Sequence, residues 1–187
     1  IEFDSRKVKT GNLFTAIRGL KSDGHQYVSE AIERGAVAIV VGESLPDISA
    51  SIPQVLVSDG RAALADLACA FYNDPTRELF TTGVTGTKGK SSVCHMSAEV
   101  LGRKRTVLIS TITNALERGV EQTTPESSTI QRIAREAVDS GFQNLVLETS
   151  AHALSQQRVR AVDFDAAVFT NLSHDHFDYF SNQQRYL

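Results

Sequence analysis

At 187 residues the chain has room for one or two domains. Its 19 Lys and Arg against 22 Asp and Glu leave a net charge of −3, which excludes nucleic-acid binding through bulk positive charge, and the longest apolar runs, such as Ala36 to Val41, are far too short to span a membrane. With 41% hydrophobic and 22% charged residues, the composition is that of an ordinary globular protein and excludes wholesale disorder. Two cysteines, Cys69 and Cys94, cannot build a disulfide framework, and as free thiols they fit a cytoplasmic setting. The start carries no basic-plus-apolar signal segment. The chain opens in mid-pattern at Ile1-Glu2-Phe3 without Met and stops at Tyr186-Leu187 with no helix stop or strand end, which predicts a piece of a longer protein.

The elements alternate along the chain. Asp23 to Arg34 reads as a helix with Tyr27, Val28, Ala31 and Ile32 on one face and Gly35 as its stop. A buried strand, Ala36 to Val41, and a second short strand, Gln54 to Val57, follow. Asp59 is placed to cap a helix whose apolar face is Leu64, Leu67, Ala68 and Phe71. Asn73-Asp74-Pro75 breaks that helix and marks the domain boundary, giving domains over 1–77 and 78–187. After it come a strand from Leu79 to Val84, a glycine-rich turn, a helix from Lys90 to Leu101 stopped by Gly102, and a strand from Thr106 to Ser110. Thr124-Pro125 predicts a helix with Pro at its first position, carrying Ile130, Ile133, Ala134, Ala137 and Val138 inward and ending at Ser140-Gly141. Leu145 to Leu147 and Ala166 to Phe169 are further short strands. Strands alternating with helices predict an α/β fold with mostly parallel sheets in both domains.

The strongest chemical signal is Gly83-Val84-Thr85-Gly86-Thr87-Lys88-Gly89-Lys90-Ser91-Ser92, entered by a strand and left by a helix. Glycines let backbone N–H groups turn around phosphate oxygens, and the helix start adds a positive dipole. Lys90 is placed to reach the β/γ phosphates of ATP, and the Ser91 hydroxyl to ligate Mg²⁺. The spacing departs from the standard loop, with Val84 where the first glycine belongs and glycines at 83 and 86. Lys88 reads equally as a nucleotide contact or a solvated loop residue. Glu148, at the end of a predicted strand, reads either as a metal ligand beside the phosphates or as a strand-end charge facing water. Ser173-His174-Asp175-His176-Phe177-Asp178 is dense in groups suited to metal or phosphate chemistry, though Tyr179 stands where a dinuclear-metal hydrolase needs a further His. His25 and His95 read as helix-surface residues and Cys94 as a small core residue.

Taken together, these residues resemble the Mur ligase family, and within it the branch that adds the third amino acid. The loop Gly83 to Ser92 resembles the family's Gly-x-x-Gly-Thr-x-Gly-Lys-Ser/Thr-Ser/Thr, which accounts for the spacing. Asp4-Ser5-Arg6, Gly11-Asn12-Leu13-Phe14 and Asp23-Gly24-His25 resemble its UDP-binding domain. Gln122-Thr123-Thr124-Pro125, the run Glu148 to Leu154 with Gln156 and Arg158, and Phe169 to Tyr179 resemble its later motifs in order. Thr149 and Ala151 depart from the common pattern around Ser150.

The resemblance implies that Gly86, Thr87, Lys88, Gly89, Lys90, Ser91 and Ser92 bind ATP, that Ser91, Glu148 and His176 hold Mg²⁺, and that Lys90, Glu148 and His176 carry catalysis. It implies that Ser5, Leu20, Lys21 and Ser22 meet the UDP part, and that Gln122, Thr123, Thr124, Ser150, Gln156 and Arg158 hold the muramoyl-dipeptide. The fold it implies is a small UDP-sugar-binding α/β domain followed by a truncated ATP-binding domain, with a carboxy-terminal ligase domain missing. The implied activity is ATP-dependent amide ligation of a free amino acid to UDP-N-acetylmuramoyl-L-alanyl-D-glutamate through an acyl phosphate, in a cytoplasmic monomer without nucleic-acid or membrane partners. The 187 residues alone are expected to be inactive. The alternatives at this level are a folylpolyglutamate-type ligase, a metal-dependent hydrolase using His174, Asp175, His176 and Asp178, and a non-catalytic nucleotide- or UDP-sugar-binding module.

Overall fold

The structure, a computed structural model, describes residues 1–19, 22–118, 122–173 and 177–180. The chain divides into two units, Ile1–Phe71 and Tyr72–Leu187. Each has its own sheet, and every pair of named strands runs parallel.

The first unit holds β1 (Leu13–Thr15), α1 (Val28–Glu33), β2 (Ala38–Val41), β3 (Gln54–Leu56) and α2 (Gly60–Phe71). The strand order is β1-β2-β3, in register Phe14 with Ile39 and Val40 with Val55. The central strand is buried on both faces at Ile39, Val40 and Val41, as an all-apolar run in a parallel sheet requires. Val8, Phe14, Ala16, Val28, Ala31 and Ala36 pack around it. The predicted helix from Asp23 begins instead as a 3₁₀ turn, Gly24–Tyr27, capped by Asp23 accepting the His25 N–H, and glycine is required at 24 because a side chain there would meet Ile17 N at 2.6 Å. The tighter pitch turns Tyr27 out to solvent while Val28 and Ala31 stay buried. Gly35 ends α1 at φ +102°, with its N–H on Ile32 O and the Ala36 N–H on Ala31 O, both bonds of a Schellman cap. Asp59 caps α2 by accepting from Arg61 N and Ala62 N. Leu64, Ala65 and Ala68 set the inner face of α2, which leaves Phe71 exposed, contrary to the sequence pattern.

The second unit holds β4 (Phe80–Thr85), α3 (Lys90–Val100), β5 (Thr106–Ile109), α4 (Thr111–Arg118), α5 (Ser127–Asp139), β6 (Asn144–Glu148), α6 (Ala151–Ser155), β7 (Ala166–Phe169) and α7 (Phe177–Phe180). The order is β5-β6-β4-β7. Side chains alternate between two cores: Leu145 and Leu147 of β6 face Ile130, Ile133, Ala134 and Ala137 of α5, while Val146 joins Val84, Leu108, Cys94 and Ala98 on the α3 side. Helix α5 starts two residues later than its Thr-Pro signal, at Ser127. Thr124 is held back because its hydroxyl donates to Glu148 O (2.8 Å) and accepts from Ser150 N (3.0 Å). Helix α4 is not among the elements that the sequence pattern predicts. Its start is a reciprocal box, Thr113 Oγ1 accepting from Ser110 N at 2.9 Å and Ser110 Oγ from Thr113 N at 3.3 Å, with Thr in place of the usual Glu or Gln. Register pairs Val84 with Glu148, Thr85 with Phe169 and Ile109 with Leu147, so all four strands end at one edge. The loops that leave those ends form the site.

Candidate functional site

The loop from β4 to α3 turns at Gly86 (φ +129°) and Gly89 (φ +81°), angles that favour glycine. At Gly86 a side chain is also excluded by contact, since a Cβ would lie 2.2 Å from Thr170 Oγ1. Lys90 folds back over the loop and donates to Gly86 O (2.9 Å) and Thr87 O (3.1 Å). Its ammonium is thereby parked where a phosphate-binding loop needs a cation. Thr87 is buried against Ser173, Lys88 and Ser92 are exposed, and α3 presents its first turn at the loop's end.

Glu148 is 2% exposed, which rules out a solvated strand-end charge. The Ser91 hydroxyl sits 2.9 and 3.0 Å from its two carboxylate oxygens, and Thr111 reaches Oε2 with its N–H at 2.9 Å and its hydroxyl at 3.3 Å. Among the described residues no Lys, Arg or His forms an ion pair with this buried carboxylate. A buried charge met only by neutral donors is costly, so the pocket favours a cation. The hard oxygen donors of Ser91 and Glu148 suit Mg²⁺. Among the described residues no cluster of three His, Cys, Asp or Glu side chains is grouped to hold a metal alone. His176 lies outside the described residues, as do His174 and Asp175 of the hydrolase alternative. Cys94, a turn into α3, is a buried core thiol as read; burial and then the Glu148 charge push its pKa up to about 12.

Beside Glu148, the expected dipeptide residues come together. The Thr111 hydroxyl donates to Thr123 Oγ1 at 3.0 Å, and Thr124 joins Glu148 O to Ser150, which caps α6 through the Ala153 N–H. Arg158 donates to Thr124 O (2.8 Å), Gln156 Oε1 (2.7 Å) and Gln122 Oε1 (3.3 Å). It also forms a largely buried ion pair with Glu126 at 3.0 Å. Asn114, fully buried, donates to the Gln122 and Thr123 carbonyls at 2.9 Å each. Thr111, Asn114, Glu126 and Asn171 went unassigned in sequence. The box around Ser110 could have found Thr111, whereas Glu126 becomes visible only once α6 has brought Arg158 back to it.

In the first unit, Ser5 is buried and donates to Glu30 at 2.8 Å, and the Ser5 hydroxyl, with Arg34, holds the Glu30 carboxyl below its ordinary range. Ser22 is exposed, with its carbonyl accepting the Gly19 N–H, while Leu20 and Lys21 lie outside the described residues. The C-terminal strand ends enclose a cleft of about 240 Å³ bordered by Arg18, His25, Gly42, Ser58, Gly60 and Arg61; neither Ser5 nor Ser22 lines it. His25 is not a helix-surface residue. Its side chain is 9% exposed, with Nε2 accepting the Gly42 N–H at 2.8 Å and Nδ1 bonded to Asp23.

A phosphate loop feeding a helix, with a buried carboxylate at the next strand end, defines a parallel α/β phosphate-binding class. A profile of the Mur ligase middle domain matches residues 84–187 and one of the Mur ligase family catalytic domain matches residues 1–72, and the chain belongs to the Mur ligase family. It is 43% identical, over all of its length, to UDP-N-acetylmuramoyl-L-alanyl-D-glutamate–2,6-diaminopimelate ligase of Bacillus licheniformis, and spans 38% of that relative. A solved structure of a ligase of the same name matches 98% of the chain with a TM-score of 0.78 at 26% identity, the match covering 38% of the solved chain. The Thermotoga maritima MurF ligase in complex with ADP shares the fold, with a TM-score of 0.66 at 23% identity over 98% of this chain and 40% of its own. No described helix is long and apolar enough to cross a membrane.

Proposed function

We propose that the chain is the UDP-substrate-binding and nucleotide-binding portion of a ligase that adds 2,6-diaminopimelate to UDP-N-acetylmuramoyl-L-alanyl-D-glutamate. The observation that carries the reading is Ser91 seated on the buried carboxylate of Glu148, which pairs with no cation among the described residues, at the foot of the loop, in a chain whose whole length matches 38% of such a ligase. The amino acid is taken from the relatives' names. A carboxylate acylates poorly, and ATP with Mg²⁺ supplies the phosphoryl group that activates it. Lys90 is placed to neutralise phosphate charge once it leaves the loop carbonyls. Ser91 and Glu148, with His176, are the proposed Mg²⁺ ligands. Residues 78–187 are the proposed ATP domain and residues 1–77 the UDP domain, its cleft beside Arg18 and Arg61 suited to a diphosphate. Gln122, Thr123, Thr124, Ser150, Gln156 and Arg158 line the proposed dipeptide site, and Arg158 enters it already oriented by Glu126. The protein is proposed to work in the cytoplasm as a monomer.

The test is phosphate release by the complete protein with MgATP, the UDP-dipeptide and one amino acid at a time. Release is expected only with the UDP substrate and 2,6-diaminopimelate together. Release with lysine instead would correct the amino acid, and release with neither would overturn the proposal.

A further inference from the structure

We infer that Asn171, with Thr170 beside it, is a positioning residue for the nucleotide: from the end of β7 it holds Thr85–Lys88 in the shape that leaves Lys90 and the first turn of α3 to face the phosphates. The inference rests on the reading of residues 86–92 as a nucleotide loop. Asn171 makes a two-point amide clasp on Lys88, its Oδ1 accepting the Lys88 N–H at 3.1 Å and its Nδ2 donating to Lys88 O at 2.9 Å. Its backbone carbonyl accepts the Thr87 N–H at 2.9 Å. The Thr170 hydroxyl adds bonds to Lys88 O (2.7 Å) and Thr85 O (3.3 Å), and the Ser173 N–H reaches Thr87 Oγ1 at 2.9 Å.

The N–H groups of Thr87 and Lys88 therefore point toward β7. A loop that wrapped phosphate with all its amides would not spend them there. Within the loop Lys90 bridges the Gly86 and Thr87 carbonyls, while Lys88 is exposed and Gly89 has open space where a side chain would stand. Two glycines at positive φ carry a large entropy of ordering. When the binding shape is only fractionally populated, affinity falls by that fraction. The asparagine amide meets both needs at once, one acceptor and one donor in a single plane. Aspartate keeps the acceptor alone, and leucine keeps neither.

Two readouts on the 187-residue chain test this. Amide exchange without ligand reads the clasp. In Asn171→Leu the Lys88 amide should exchange at least about tenfold faster than in wild type, while Thr87, bonded to a backbone carbonyl, changes less. Calorimetric titration with MgADP reads the consequence, an affinity about tenfold weaker in Asn171→Leu, with Asn171→Asp between it and wild type. Thr170→Val should act in the same direction and Thr170→Ser should not, which keeps the test open if Asn171→Leu folds poorly. Where the wild-type chain binds MgADP, unchanged Lys88 exchange or unchanged MgADP affinity in Asn171→Leu overturns the inference. A wild-type chain that binds no MgADP overturns the nucleotide reading and the inference with it, whatever the exchange shows.

Discussion

Replacing Gly86 by Ala sets two costs on one residue, and Gly89→Ala provides the control. At Gly86 the new Cβ would stand 2.2 Å from Thr170 Oγ1, 2.9 Å from Asn171 O and 3.0 Å from Asn171 N, at φ +129°. Backbone strain at such an angle costs about 1–3 kcal/mol and the overpacking about 1–3 kcal/mol more, for a total of about 2–6 kcal/mol. At Gly89, with φ +81°, ψ 0° and nothing within 4 Å of the new Cβ, left-handed strain alone remains, about 1–2 kcal/mol. Protection of the β4 amides from hydrogen exchange reports the stability of the second unit by itself, which a whole-chain melt of two units does not. Adding Thr170→Ala to Gly86→Ala should recover about 1–2 kcal/mol of packing but not the strain, because the Asn171 backbone stays in place. A Gly86→Ala chain no less stable than Gly89→Ala would refute the account of the loop as fixed from the β7 side.

Three further outcomes follow from the same geometry. Arg158→Ala removes the cation 3.0 Å from the largely buried Glu126 carboxylate and should cost the second unit about 3–5 kcal/mol, read from exchange of its β4 amides, most of it restored by adding Glu126→Gln; a loss below about 1 kcal/mol would contradict this. Asp4, Asp23 and Glu30 have lowered pKa values: a side-chain bond from Arg6 holds down Asp4, the His25 N–H holds down Asp23, and Ser5 holds down Glu30. Their stabilisation of the first unit is therefore complete above the ordinary carboxylate range and is lost as pH falls through the lowered values, below about pH 4. Ser5→Ala should raise the Glu30 pKa and move the acid-unfolding midpoint of that unit upward, and an unmoved midpoint would count against the Ser5–Glu30 bond. With its pKa pushed up to about 12, Cys94 should resist iodoacetamide at pH 8 in the folded chain; fast labelling there would contradict the burial of α3's inner face.

Chemistry carried by contiguous residues was legible in the sequence. The loop from Gly83 to Ser92 announces itself because phosphate binding needs glycine, lysine and a hydroxyl at set spacing, and the helix stops at Gly35, Gly102 and Gly141 follow from the positive φ each adopts. What the sequence left open depends on distant parts of the chain meeting. Glu148 could be read two ways until its strand was seen beside β4, where Ser91 meets it 57 positions away. Helix α5 starts late because Thr124 is tied to β6, a tertiary bond that outweighs the local preference of Pro125. His25 reads as a surface residue by helix periodicity, yet the 3₁₀ turn brings it onto the Gly42 N–H. The Asn171 clasp on Lys88 spans 83 positions and leaves no local pattern.

The measurement that bears most directly on the central claim is the Mg²⁺ dependence of ADP binding by the 187-residue chain and by its Glu148→Gln variant. The account predicts that Mg²⁺ tightens ADP binding to the wild type by about tenfold or more, because it supplies a cation to a buried carboxylate that has none among the described residues. In Glu148→Gln, metal-free ADP binding should persist and the Mg²⁺ enhancement should disappear. An equal Mg²⁺ enhancement in both proteins would contradict the assignment of the Ser91–Glu148 pair as the metal's seat.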